Sequence, residues 1–187
     1  IASGNLAVLN DAMAEYDPAD FAEGAMSLWK KGDDVYAIPF STSPFILLYN
    51  ADLFEQAGVK TPEEYIAEGN WTWETFREVS KQIKDATGVW GYQTVDGAGY
   101  TTSVMQNLLP IICTYGVDAW DTDGNVMIDT EGAIEAVQLF HDMVYVDQSV
   151  VPPGDESSFY TGAAAMTLSQ ISRVSNLDEV TWKWGMR

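Results

Sequence analysis

Residue types that carry covalent, redox or metal chemistry are sparse in this chain. Cysteine occurs once, at Cys113, and histidine once, at His141. A single cysteine permits no internal disulfide, and exported proteins poor in cysteine do without one, so the compartment stays open on this count. Cys113 stands among Ile111, Ile112 and Tyr115 and is expected as a small buried hydrophobe rather than a nucleophile. On a helical wheel His141 falls beside Ile134 and Val137, at the edge of an expected buried stripe. No second base, nucleophile or metal ligand accompanies it at usable spacing. Asp121, Asp123 and Asn125 echo the opening of a calcium loop, but its twelfth position would be Gly132 rather than a bidentate acid. The reading therefore assigns no catalytic residue, no metal ligand and no cofactor. The enzymatic alternative is a carbohydrate-active enzyme such as a glycoside hydrolase, working with two carboxylates. The chain has 28 acidic side chains to draw on, yet no motif singles out a pair.

The same acids set the charge. Against 9 Lys and Arg they leave a formal charge of −19 over 187 residues. Nucleic acids and anionic membrane surfaces demand clustered cations, so the balance argues against both as partners. Hydrophobic residues make up 47% of the chain, enough for a real core in one domain or one and a half. No apolar run approaches the roughly 20 residues of a membrane-spanning helix. The chain opens Ile1-Ala2-Ser3-Gly4-Asn5, without an initiator Met or a basic start, and reads as an internal piece of something longer.

One stretch organises the elements that would position a site. Val35-Tyr36-Ala37-Ile38 reads as a strand and passes into the small polar loop Pro39-Phe40-Ser41-Thr42-Ser43-Pro44. The chain then resumes as the apolar run Phe45-Ile46-Leu47-Leu48-Tyr49, the pattern of a strand buried on both faces. Asn50 is placed to cap a short helix that Gly58 stops. Thr61-Pro62-Glu63-Glu64 opens another helix with a capping box. From Trp73 to about Thr87 the pattern is helical, with Trp73, Phe76, Val79 and Ile83 on one face and Gly88 at the end. Val89 to Thr94 is rich in β-branched and aromatic residues and reads as a strand.

Beyond the loop Asp96-Gly97-Ala98-Gly99 a helix is expected to begin at Tyr100 to Ser103 and to kink or end at Pro110. Gly116 to Asp129 reads as a hairpin about Asp123-Gly124. The longest helix is expected from Glu131 to Asp147, its buried stripe formed by Ile134, Val137, Phe140 and Val144. Phe159 to Leu168 leads through Gly162 into a short apolar strand, and Val180 to Met186 alternates like another.

Four of these stretches carry a resemblance: the Tyr36–Gly58 run with Tyr49-Asn50-Ala51-Asp52-Leu53-Phe54, the Asn70-Trp71-Thr72-Trp73-Glu74-Thr75-Phe76 helix start, Phe159-Tyr160-Thr161-Gly162-Ala163-Ala164-Ala165-Met166, and the alternating tail. In this order they resemble the extracellular (periplasmic) solute-binding proteins of ABC importers, sugar-binding family 1, over nearly the whole chain. The resemblance implies an α/β fold, a lobe like those of type II periplasmic-binding proteins. Such a lobe has a mixed sheet flanked by helices, with interlobe crossing strands. It implies residues 1–39 as the remnant of a first lobe with a crossing strand, 40–178 as the second lobe and 179–187 as the return strand. It further implies capture of a carbohydrate or similar small solute in an interlobe cleft, delivery to a membrane permease, and a place in the periplasm or, as a lipoprotein, on the cell surface.

A pyranose offers apolar C–H faces to aromatic rings and a fan of hydroxyls to planar polar side chains. The positions that the resemblance sets against the ligand are Thr42 and Ser43 in the crossing loop, Trp71 before a helix start, Gln93 at a strand end, Asp96 and Tyr100 beyond it, and Ser169, Gln170 and Arg173 after the Ala-Ala-Met strand. Each has a purely structural account as well. Trp71 serves equally as a packing anchor, Asp96 as a helix cap and Arg173 as the partner of a surface acid. Where many family members carry a stacking aromatic, this chain has Ser169-Gln170-Ile171-Ser172-Arg173. That departure points away from a maltodextrin-like ligand and toward a smaller, more polar or charged solute.

Overall fold

The computed structural model describes residues 3–41, 43–94, 100 and 104–187, which fall into two compact units, Ile1–Pro44 and Phe45–Arg187. The first unit holds two short helices, α1 (Asn10–Met13) and α2 (Glu23–Ser27), and the two-residue strands β1 (Lys30–Lys31) and β2 (Asp34–Val35). The expected strand from Val35 to Ile38 is thus shorter than its sequence suggested. Its partner β1 offers only two residues, and beyond Val35 a single further bond continues the pairing, from Tyr36 N–H to the Trp29 carbonyl at 2.9 Å.

The second unit is built on a four-stranded sheet of β3 (Phe45–Asn50), β4 (Trp90–Gln93), β5 (Ala164–Gln170) and β6 (Trp184–Met186). Its order is β4-β5-β3-β6, with β4 parallel to β5 and the other neighbours antiparallel. Leu48 and Tyr49 are consecutive on β3, so they point to opposite faces and both are buried. Tyr49 joins Phe54, Phe76, Tyr92 and Met166 in the larger core; Leu48 joins Phe159, Val151 and Leu177 in the smaller.

Helices α3 (Ala51–Ala57), α4 (Pro62–Ala67) and α5 (Trp73–Thr87) follow β3. Asn50 caps α3 by accepting from Leu53 N–H at 3.2 Å, and Gly58 ends it in the left-handed region. The start of α4 is fixed from Thr61, whose N–H and hydroxyl both donate to the Glu64 carboxylate, at 2.8 and 3.0 Å. On α5 the residues Phe76, Val79 and Ile83 are buried as their spacing requires. The helix lies so close to β4 that a Cβ at Gly91 would overlap the Ser80 carbonyl. Two helices, α6 (Val104–Thr114) and α7 (Glu131–Tyr145), then make the crossover from β4 to β5.

Several expectations are corrected here. Helix α6 runs on through Pro110 to Thr114. Pro110 and Gln106 both stand on its exposed side, so the Gln106 carbonyl that the proline leaves unpaired can bond water. Cys113 is exposed, because α6 turns Ile111 and Ile112 inward instead. The buried stripe of α7 is Ala133, Ala136, Leu139, Met143 and Val144, while Ile134 and Val137 are exposed by 58% and 42%. Small alanines bring the helix close to its neighbours, and the β-branched residues turn outward with His141, which pairs with Asp142 at 3.3 Å. The hairpin at 116–129 reduces to one bridge, Trp120 with Val126, and Asp121 accepts from Asp123 and Asn125 N–H at 2.9 and 2.8 Å inside the turn. The final strand is confined to Trp184–Met186.

Two substitutions test these backbone constraints. Gly91→Ala should destabilise the protein by roughly 1–3 kcal/mol in urea unfolding, because helix or strand must shift to admit the methyl group. Gln148, just past α7, holds a positive φ of 49°. Gln148→Gly should relieve that conformation and raise stability by about 0.5–1 kcal/mol, a rise of roughly 1–4 °C in thermal unfolding.

Candidate ligand-binding site

Parallel strands of one sheet end at the same edge, and β4 and β5 bring Gln93 and Gln170 there. Antiparallel β3 enters at that edge, with Phe45 opposite Gln170. Helix α5 must run back across the sheet for the chain to enter β4, so its N-terminal turn also lies toward this end. The Thr72 hydroxyl fixes the turn by accepting from Thr75 N–H at 3.3 Å. Open strand ends meeting helix starts are where α/β proteins place ligands.

A cavity of about 500 Å³ opens beside these elements, within the span of roughly 300–1,000 Å³ usual for small-molecule sites. Leu47, Tyr92 and Leu168 form its floor on the sheet. The start of α5 supplies one wall with Trp71, Trp73 and Phe76, and α6 a second with Asn107, Ile111 and Tyr115. Phe140 and Met143 of α7 close it. Phe76 meets Trp71, Trp73 and Tyr92 nearly at right angles, with ring centres 5.9, 5.3 and 5.1 Å apart. Trp71 is also stacked on Tyr65 at 5.8 Å.

The polar groups of the cavity are largely committed to one another. The Trp73 indole N–H donates to the Thr114 hydroxyl at 2.6 Å, which donates to the Ile111 carbonyl at 2.7 Å. Burial pushes the Tyr92 phenol well above its ordinary range, and burial together with the nearby Glu74 and Glu135 raises Tyr115. Both phenols therefore stay neutral across physiological pH. Among the described residues Glu74 is the one charged side chain lining the cavity, and it is exposed.

The residues expected from sequence fall into several environments. Trp71 lines the cavity. Tyr100 donates to the Val151 carbonyl at 2.7 Å and leans on Phe140, whose ring lies 6.2 Å away. Gln93 is buried, and its amide oxygen accepts from Phe159 N–H at 2.7 Å, tying the strand end to the turn ahead of β5. Ser169 is fully buried and its hydroxyl shares a hydrogen bond of 3.1 Å with the Tyr160 phenol. Gln170 is half-buried at the end of β5, and Arg173 is exposed on the 3-10 turn Ile171–Leu177. Ser43 is exposed in the first unit. Thr42 and Asp96 lie outside the described residues. Trp73, Glu74, Asn107, Tyr115 and Phe140 were not foreseen as site residues. For Asn107 and Tyr115 the available signal was the spacing 107, 111, 114 and 115 along and just past α6, with a buried asparagine beside Ile111.

Residues 1–185 match the family described as bacterial extracellular solute-binding protein. The chain belongs to that family. This solute-binding protein is 28% identical over 140 residues to an arabinooligosaccharide-binding protein of Halalkalibacterium halodurans, a match covering 73% of this chain and 28% of the relative. To a lactose-binding protein of Rhizobium radiobacter it is 30% identical over 173 residues, covering 91% of this chain and 37% of the relative. An ABC substrate-binding protein of Listeria monocytogenes, solved in complex with cycloalternan, superposes with a TM-score of 0.83 at 23% identity, over 100% of this chain and 48% of that one. The fold is therefore the α/β fold of periplasmic-binding proteins, with a mixed sheet flanked by helices. The chain spans about half the length of the solved structure and 28–37% of the two curated relatives. Among the described residues no helix is long and apolar enough to cross a membrane.

The hydrogen bond of Gln93 to Phe159 gives a test. Gln93→Met keeps the volume but strands a buried N–H, which costs about 1–3 kcal/mol. A urea midpoint lowered accordingly, with an unchanged slope, is the expected result.

Proposed function

We propose that this solute-binding protein is part of the substrate-binding component of an ABC importer. It captures a carbohydrate or similar small polar solute outside the cytoplasm and hands it to a membrane permease. The observation that carries this reading is the aromatic cavity at the edge where β4 and β5 end, in a chain whose relatives are named for binding arabinooligosaccharide and lactose. Aromatic rings stack on the C–H faces of sugars, and the polar side chains at the strand ends supply partners for hydroxyls. Trp71, Tyr100, Gln170 and Arg173, with Ser43, Thr42 and Asp96, are the residues we assign to the ligand. Gln93 and Ser169 act by holding the strand ends. Residues 1–39 are then the part of a first lobe with its crossing strand, 40–178 the second lobe and 179–187 the return strand, and a lipid anchor or the periplasm keeps the protein outside the cytoplasm.

The family and its relatives are transport proteins rather than enzymes. A glycoside hydrolase needs two carboxyl groups roughly 5–10 Å apart about one bond, and Glu74 is the only carboxylate lining the cavity among the described residues.

A thermal-shift panel of mono- and oligosaccharides and polyols tests the proposal. A ligand at 100 times its Kd stabilises the native state by about 2.7 kcal/mol. For a chain of this size that is a rise of roughly 5–10 °C. A rise with one saccharide class is the expected result; a well-folded protein whose melting temperature no saccharide or polyol moves would overturn the carbohydrate reading.

A further inference from the structure

The cavity's chemistry narrows the solute class, resting on the reading that this chain binds a small solute. A fully hydroxylated sugar ring needs many uncommitted donors and acceptors, because each hydroxyl buried without a partner loses its hydration at a cost. The cavity offers few. The Trp73 indole and the Thr114 hydroxyl are spent on one another and on Ile111, and the Thr72 hydroxyl is spent on the start of α5. The Tyr92 phenol donates to the Asn107 amide oxygen at 3.5 Å, so what remains is the Tyr115 phenol, a set of rings and one negative charge. Phe76 stands at 76–77° to Trp71, Trp73 and Tyr92, so the walls turn corners and present rings from more than one direction. Glu74 is exposed beside them, and no Lys, Arg or His lines the cavity among the described residues.

We propose that this cavity holds the ammonium group of a cationic solute, a quaternary or alkylated amine, against the aromatic rings that line it, Trp71, Trp73 and Tyr92 among them, with the Glu74 carboxylate as counter-charge. The electron-rich faces of Trp and Tyr attract such a cation, most strongly where water is excluded. A quaternary ammonium carries no N–H that must find an acceptor, so a wall with few uncommitted acceptors suits it better than it suits a sugar. A chain charge of −19 raises the local concentration of cations around the site. The hydroxyl-bearing remainder of the solute would then lie along the strand ends, toward Gln170.

Titration of the intact chain with choline chloride and with its neutral isostere 3,3-dimethylbutan-1-ol, followed by tryptophan fluorescence and calorimetry at low ionic strength, separates charge from shape. Choline should bind about tenfold or more tightly than the isostere. Glu74→Gln should weaken choline about 3- to 10-fold and leave the isostere unchanged, with the far-UV spectrum and melting temperature confirming the fold. Trp73→Leu should weaken both. Equal affinity for choline and the isostere, binding of neither, or a choline affinity indifferent to Glu74→Gln would each overturn the inference. Lactose binding without choline binding sinks it and leaves the proposed function standing. Choline binding with no response to any saccharide supports the inference and sinks the carbohydrate class.

Discussion

The parallel pairing of β4 with β5 is the constraint on which the second unit depends. Parallel neighbours cannot be joined by a tight turn, so the chain must leave the end of β4, cross the sheet and return to the start of β5. Helices α6 and α7 make that crossing and cover one face as they do so. The pairing also aligns the ends of both strands, while antiparallel β3 begins at the same edge. Because α5 precedes β4 through a short turn at Gly88, its own start is carried back to that edge. The cavity is thus a consequence of topology: three helices and three strands converge there and line it together.

Close packing holds this arrangement at two glycines. Gly91 lets α5 approach β4 to the limit set by the Ser80 carbonyl, and Gly185 lets β6 pass beneath the Tyr49 ring, which a Cβ would overlap. Tyr49 donates to Glu63, and Glu63 pairs with Arg187 at 3.0 Å, so a helix, a central strand and the last strand meet at one phenol. Burial, then the hydrogen bond to Glu63, pushes the Tyr49 phenol far above its ordinary range.

Charge is handled economically in a chain with so few cations. Arg77 on α5 reaches both Asp147, beyond the end of α7, and Asp142 on α7, joining the two helices and offsetting the repulsion between those two carboxylates. Hydrogen bonds from Gln138 and then His141 hold the Asp142 carboxyl below its usual range. Lys84 lies 3.6 Å above the Trp90 ring, so one of the few lysines is given to the sheet edge through a cation–π contact. The remaining acids are mostly exposed, where they give the surface its negative field.

Local chemistry was legible without the fold. Asn50 and Thr61 as helix starts, Gly58 and Gly88 as stops, the 73–87 helix with its Phe76, Val79 and Ile83 face, and the two-sided burial of Leu48 and Tyr49 all follow from propensity and period, which act between near neighbours in the chain. The order of the motifs was enough to suggest the family. Three-dimensional packing decided the rest. Which face of α7 is buried depends on how near its neighbour α6 lies, and alanines took that face over Ile134 and Val137 because close approach outweighs side-chain hydrophobicity there. Pro110 stays inside a helix because its orphaned carbonyl can reach water. Gln93, read from sequence as the end of a strand, is also a buried brace because a backbone N–H 66 residues away needed its oxygen. The cavity joins residues from 47 to 168, and no local rule relates them: sequence fixes what each side chain can do, and only the crossing of the chain decides which side chains meet.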